Sequence, residues 1–244
     1  MVVEGECVDE SLAPCWNDVV DVLASGVRRL LLFGPPGLGK TYAALRLATS
    51  GPAERLTCTE DLTSAEVTGS WMPVGSGRWE WREGPGIRAW RANEGRGGRL
   101  VVDEADRASG DALSTLLLIC DSPDSARWRH PESGEWVKPG EEFTAVVTTN
   151  SLTLEEIPVA LRDRFPVAVY IDRPHPGALQ SLSEDLKAPA LAGALGGDDR
   201  YVSLRSYYAF DALRARVGAE RAASLVFGPR AEAILDALTI GSLG

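Results

Sequence analysis

Short, continuously apolar runs alternate with stretches of helical periodicity over the first two thirds of the chain. That alternation predicts parallel strands joined by crossover helices. Five strands are expected: Arg29 to Phe33, Arg55 to Cys58, Arg99 to Asp103, Phe143 to Thr149 and Val167 to Ile171. Leu30-Leu31-Leu32-Phe33 and Leu100-Val101-Val102 are apolar at consecutive positions, the pattern of strands covered on both faces. Helical patterns run from Thr41 to Thr49, where Gly51-Pro52 ends them, from Thr63 to Val67, opened by the capping pair Thr63 and Glu66, and from Asp111 to Cys120. Beyond Pro174 no strand is expected. Leu182 to Lys187, Leu204 to Val217, Ala219 to Phe227 and Ala231 to Leu238 read as helices. The expected fold class is therefore α/β: a core over residues 1–173 with a central parallel five-stranded sheet flanked by helices, then a small all-α domain over 174–244.

Composition narrows this reading. With 244 residues, 44% hydrophobic and 25% charged, the chain has the make-up of a globular protein, and wholesale disorder is excluded. Four cysteines without a C-x-x-C pair read as reduced thiols. The acidic start, Met1 to Glu6, and the lack of an apolar run of about 20 residues point to a cytoplasmic protein with no membrane contact. A net charge of −10 argues against a surface built for nucleic acid. One local exception exists: Trp71 to Arg99 holds six arginines against three glutamates, which keeps a nucleic acid or an acidic peptide open as a partner.

The chemistry concentrates at strand ends. Gly34-Pro35-Pro36-Gly37-Leu38-Gly39-Lys40-Thr41 fits G-x-x-x-x-G-K-[ST] in full, and it lies between an expected strand and an expected helix. Glycines there turn backbone N–H groups toward phosphate oxygens, Lys40 reaches the β- and γ-phosphates, and Thr41 can hold Mg²⁺. Leu100-Val101-Val102-Asp103-Glu104 ends a buried strand in two acids: Asp103 suits the Mg²⁺ shell and Glu104 can take a proton from an attacking water. Asn150 follows the fourth strand, placed to orient that water or the γ-phosphate. Arg162 and Arg164 close a short helix before the last strand, where an arginine presented to a neighbour's nucleotide can stabilise developing charge.

Taken together these motifs resemble an AAA+ ATPase, and within that group the MoxR-type, helix-2-insert branch, over about residues 28 to 217. The resemblance implies a P-loop NTPase core with a helical lid, using ATP and Mg²⁺. By it Gly34 to Thr41 is Walker A, Asp103 and Glu104 are Walker B, Asn150 is sensor 1, Arg164 the arginine finger and Arg205 the sensor 2 arginine. Asp61-Leu62, Thr68-Gly69, Gly84-Pro85-Gly86 and Arg107-Ala108 are further family-like strings. Departures exist: Ser151 stands where the family usually has proline after the sensor asparagine, and Arg162 competes with Arg164 for the finger role.

Five of the seven tryptophans fall in two stretches, Trp71, Trp79 and Trp81 before Gly84, and Trp128 and Trp136 before Phe143. Each stretch reads as a hairpin, the first turning at Gly75-Ser76-Gly77. The resemblance assigns them to the helix-2 insert and the pre-sensor-1 hairpin, which face substrate; alternatively the rings pack the hairpins together. The resemblance further implies a homo-oligomer, expected as a hexamer, acting on a protein client such as a von Willebrand A-domain protein. A nucleic-acid motor or loader is the alternative. His130 and His175 are isolated in sequence, and no metal-ligand spacing appears.

Overall fold

The computed structural model describes residues 12–49, 51–196 and 201–241. Two compact units make up the chain: Asp18–Gly34 with Thr41–Tyr170, and the described residues up to Asn17 with Pro35–Lys40 and those from Ile171. Helix α1 (Pro14–Ala24) crosses the junction at Asn17. The first unit continues with β1 (Arg29–Phe33), most of α2 (Lys40–Arg46), β2 (Ala53–Thr57), α3 (Ser64–Thr68), β3 (Gly69–Gly75), β4 (Arg78–Glu83), α4 (Pro85–Arg91), β5 (Arg99–Asp103), α5 (Gly110–Ile119), β6 (Trp128–Arg129), β7 (Trp136–Val137), β8 (Thr144–Thr148), α6 (Val159–Arg164) and β9 (Val167–Tyr170).

The five expected strands form one parallel sheet in the order β2-β5-β8-β1-β9. Its ends differ from expectation by two residues at most, as at β2, which starts at Ala53. Register sorts the residues by face, because side chains alternate and paired positions point the same way. Leu56, Leu100, Val102, Ala145, Val147 and Leu31 share one face and join the main core with Ile87, Trp90, Leu116 and Ile119 from the helices. Trp90 is fully buried and donates its indole N–H to Ile119 O at 3.1 Å. The opposite face carries Arg55 and Thr57 on β2, Arg99 and Asp103 on β5, and Thr144 and Thr148 on β8.

Helix α2 ends at Arg46, short of the expected Thr49, and its end is capped by the residue that opens β5. Arg99 is 2% exposed, and its guanidinium donates to the carbonyls of Ala44 (3.0 Å), Leu47 and Ala48 (2.8 Å). Those are the orphan acceptors at a helix C-terminus, which a cation satisfies well. Burial pushes the Arg99 guanidinium down to about 10. The capping pair holds: Thr63 N donates to Glu66 Oε2 at 2.9 Å, and Glu66 N to the Thr63 hydroxyl at 3.3 Å.

The second unit is helical, with α7 (Pro176–Gln180), α8 (Glu184–Ala194), α9 (Leu204–Val217), α10 (Ala219–Phe227) and α11 (Ala231–Gly241). Leu186, Ala190, Tyr207, Phe210, Ala222, Ala223 and Phe227 form its core. As expected, no strand occurs among its described residues, and α9 and α10 match their expected bounds. Helices α1, α4 and α7 were not foreseen; each begins at a proline, a residue that suits the first helical position but reads in sequence as a breaker. Among the described residues, no helix is long and apolar enough to cross a membrane. Cys15, Cys58 and Cys120 are free and buried; Cys7 lies outside the described residues.

Candidate nucleotide site

The phosphate-loop sequence follows β1 and runs into α2. Gly37 and Gly39 have φ of +77° and +96°, where a side chain would be strained. Space excludes one too: a Cβ on Gly37 would stand 2.5 Å from Ser203 Oγ, and one on Gly39 3.1 Å from His175 Cβ. Within the same unit, His175 N donates to Leu38 O at 2.9 Å, and the Tyr201 hydroxyl donates to Pro36 O. Lys40 is buried and its ammonium reaches Pro35 O at 2.7 Å, within the loop it closes.

In the first unit, the Thr41 hydroxyl donates to Asp103 Oδ1 at 2.8 Å. Thr148 donates to the same oxygen at 2.5 Å, and Arg55 Nη2 reaches Asp103 Oδ2 at 2.5 Å. Burial alone would raise the Asp103 carboxyl, but these three donors outweigh it and hold the group below its usual value. Thr41 and Asp103 thus offer hard oxygen donors side by side, which fits Mg²⁺, a cation held by one or two protein oxygens plus substrate phosphates. Among the described residues no group of three or more His, Cys, Asp or Glu forms a separate metal cluster.

Glu104 sits in the left-handed region, φ 56° and ψ 44°, a strained conformation for a side chain of its size. The turn swings the chain out of β5 at once, and Arg107 Nε meets Glu104 Oε2 at 3.2 Å. Asn150 stands two residues past β8 and is half-buried. The loop after it is tied back: Gly34 N donates to Ser151 O at 3.0 Å, and Ser151 N to the Thr149 hydroxyl at 3.1 Å. A proline at 151 lacks that second donor, so the serine gives this chain a hydrogen-bonded turn where its resemblance has a ring.

The structure brings Thr41 and Asp103 together and sets Glu104 next in chain. Arg164, on α6, is paired with Asp163 at 2.8 Å and Asp121 at 3.4 Å. Arg162 lies on the same helix and its Nε is buried without a hydrogen-bond partner. Arg205 is exposed at the start of α9, where its backbone N–H meets the Ser203 hydroxyl at 3.2 Å. Sequence reading missed Arg55 and Thr148 as partners of Asp103. The signal was there once strands are paired, since Thr57 and Asp103 are in register and Arg55 lies two positions back on the same face.

The tryptophan hairpins exist, β3 with β4 and β6 with β7. Trp81 packs edge-on against Trp71 (5.7 Å) and near Trp128 (5.9 Å) and His130 (6.1 Å), so the hairpins do join through their rings. Trp79 and Trp136 stay out of that cluster, 59% and 66% exposed. The local arginine excess is largely neutralised: Arg88 pairs with Glu54, Arg91 with Glu83 and Arg96 with Glu142, while Arg99 is buried. Arg78 and Arg82, on the hairpin strand β4, remain exposed.

A five-stranded parallel sheet with a phosphate loop after β1 and paired acids after β5, followed by a helical region, is the P-loop AAA fold. The chain belongs to the AAA domain family, dynein-related subfamily, whose pattern matches residues 29–165, more than half of its length. Among solved structures, it is similar to a "putative ATPase" from Cytophaga hutchinsonii, at 21% identity and a TM-score of 0.46. That match covers 66% of this chain, which spans only 46% of the other. No curated protein matches it.

Proposed function

We propose that this chain is a Mg²⁺-dependent ATPase of the MoxR type that assembles into a ring, expected as a hexamer, and couples hydrolysis to remodelling, activating or loading a protein partner. The observation that carries the reading is the 2.8 Å contact between Thr41 and Asp103, which joins the end of the phosphate loop to the acidic end of β5. In this reading the backbone of Gly34 to Gly39 and the Lys40 ammonium bind the phosphates, and Thr41 and Asp103 hold Mg²⁺. The ion, when bound, neutralises phosphate charge. Glu104 accepts the proton of the attacking water, Asn150 orients that water, and Arg164 or its neighbour Arg162 serves the nucleotide of an adjacent subunit. Residues 174–244 act as the lid and supply Arg205. The exposed Trp79 and Trp136 suit contact with a protein client, for which a von Willebrand A-domain protein is the family-like candidate. The motor-on-nucleic-acid alternative loses part of its support with the pairing of Arg88, Arg91 and Arg96, and keeps the exposed Arg78 and Arg82.

The test is a Glu104→Gln variant followed by light scattering with and without ATP, beside a phosphate-release assay of the unaltered chain. Phosphate release that needs Mg²⁺, and growth of the variant to a ring-sized particle on ATP, are expected. A chain that releases no phosphate and stays monomeric under every condition would overturn the reading.

A further inference from the structure

We propose that Arg55 is a built-in counter-cation for Asp103, competing with the divalent ion and so setting the metal concentration at which nucleotide is held; this rests on the nucleotide reading above. The two oxygens of Asp103 are used differently. Oδ1 takes the hydroxyls of Thr41 and Thr148, whereas Oδ2 takes Arg55 Nη2 at 2.5 Å. A hydroxyl that donates to a carboxylate still has lone pairs to offer a metal ion. A guanidinium has none, so it cannot join the coordination shell and can only repel the incoming cation.

The surroundings make a counter-charge useful. Glu104 and Asp106 follow Asp103 within three positions of the chain, so negative charge is dense along this turn. Glu104 is met by Arg107, and Asp103 by Arg55. The two partners of the Asp103 pair differ sharply in exposure: the Asp103 side chain is 8% exposed and that of Arg55 50%. The carboxylate is buried, whereas the guanidinium already stands half in water. That is the arrangement of an exchangeable cation rather than of a permanent buried pair. When metal leaves with product, Arg55 restores the charge balance and discourages rebinding.

Binding of ADP and of Mn²⁺ to the full chain separates the possibilities, with ADP measured calorimetrically with and without metal and Mn²⁺ by electron paramagnetic resonance in the presence of ADP. Arg55→Gln is expected to lower the half-saturating Mn²⁺ concentration by about fivefold, the scale of a half-exposed charge pair. Arg55→Lys, which keeps the charge but not the planar fork, should fall between the variant and the unaltered chain. Melting temperatures in metal-free buffer accompany each variant, because a purely structural Arg55 would lower them and leave the Mn²⁺ midpoint where it was. An unchanged or raised midpoint in Arg55→Gln overturns the proposal while leaving the nucleotide reading standing. Failure of the unaltered chain to bind ADP at all overturns both.

Discussion

Thr41 and Asp103 lie 62 positions apart in sequence and share a hydrogen bond of 2.8 Å. The bond couples the first turn of α2 to the last residue of β5, so either side chain can be removed without touching the phosphate loop's glycines. Thr41→Ala is expected to weaken nucleotide binding in Mg²⁺ by roughly ten- to a hundredfold, as loss of a metal-site oxygen commonly does, and to change metal-free binding little. Calorimetric titration with ADP in the two buffers checks this.

Arg162 and Arg164 share one short helix, and among the described residues only Arg164 has charge partners, Asp163 and Asp121. If Arg164 serves a neighbour, Arg164→Ala should cut turnover by about 10³ or more while leaving nucleotide affinity intact. Mixing it with Glu104→Gln should then recover activity, because each supplies what the other lacks. If Arg162→Ala behaves this way and Arg164→Ala does not, the roles are reversed.

Arg99→Met should destabilise the first unit by about 3 kcal/mol, since a buried guanidinium and three helix-end carbonyls lose each other. For a chain of this size that is a drop of roughly 6–12 °C in melting temperature, read by calorimetry.

The ring cluster separates into structural and exposed members. A double-mutant cycle on Trp81 and Trp128 is expected to give a coupling of about 1 kcal/mol. Trp79→Ala and Trp136→Ala should each stay within about 0.5 kcal/mol of the unaltered chain. If they nonetheless reduce stimulation by a client, the exposed rings form its contact surface.

Burial pushes the thiols of Cys58 and Cys120 up to about 12. Native chain at pH 8 should therefore resist iodoacetamide at both, with labelling appearing only on unfolding, as peptide mass spectrometry would record. The folded state keeps these protons after the unfolded chain has lost them. The contribution to stability is full below the ordinary value of 9.0 and declines as pH rises toward about 12.

Strands and motifs were legible where the signal is local. Leu30 to Phe33 and Leu100 to Val102 announce buried strands by themselves, and Thr63 with Glu66 announces a helix start. Contacts that depend on which strands pair were not. Arg55, Thr148 and Arg99 look like ordinary polar residues until register sets the first two beside Asp103, and α2 covers the third. Arg99 in particular reads as a strand's first residue and part of a basic stretch, and its burial is not legible, because a guanidinium is rarely buried without a carboxylate. The proline-led helices were hidden for a different reason, since the same residue opens a helix and breaks one.

Strand β5 and helix α2 are fastened at both ends, at one by Asp103 with Thr41 and at the other by Arg99 with Ala44, Leu47 and Ala48. Over five strand residues and seven helical ones, each about 10–15 Å long, the two elements make a braced frame with its cross-ties at the corners. Such a frame resists shear. Loosening the Arg99 corner should therefore soften the Thr41–Asp103 corner at the other end of the strand.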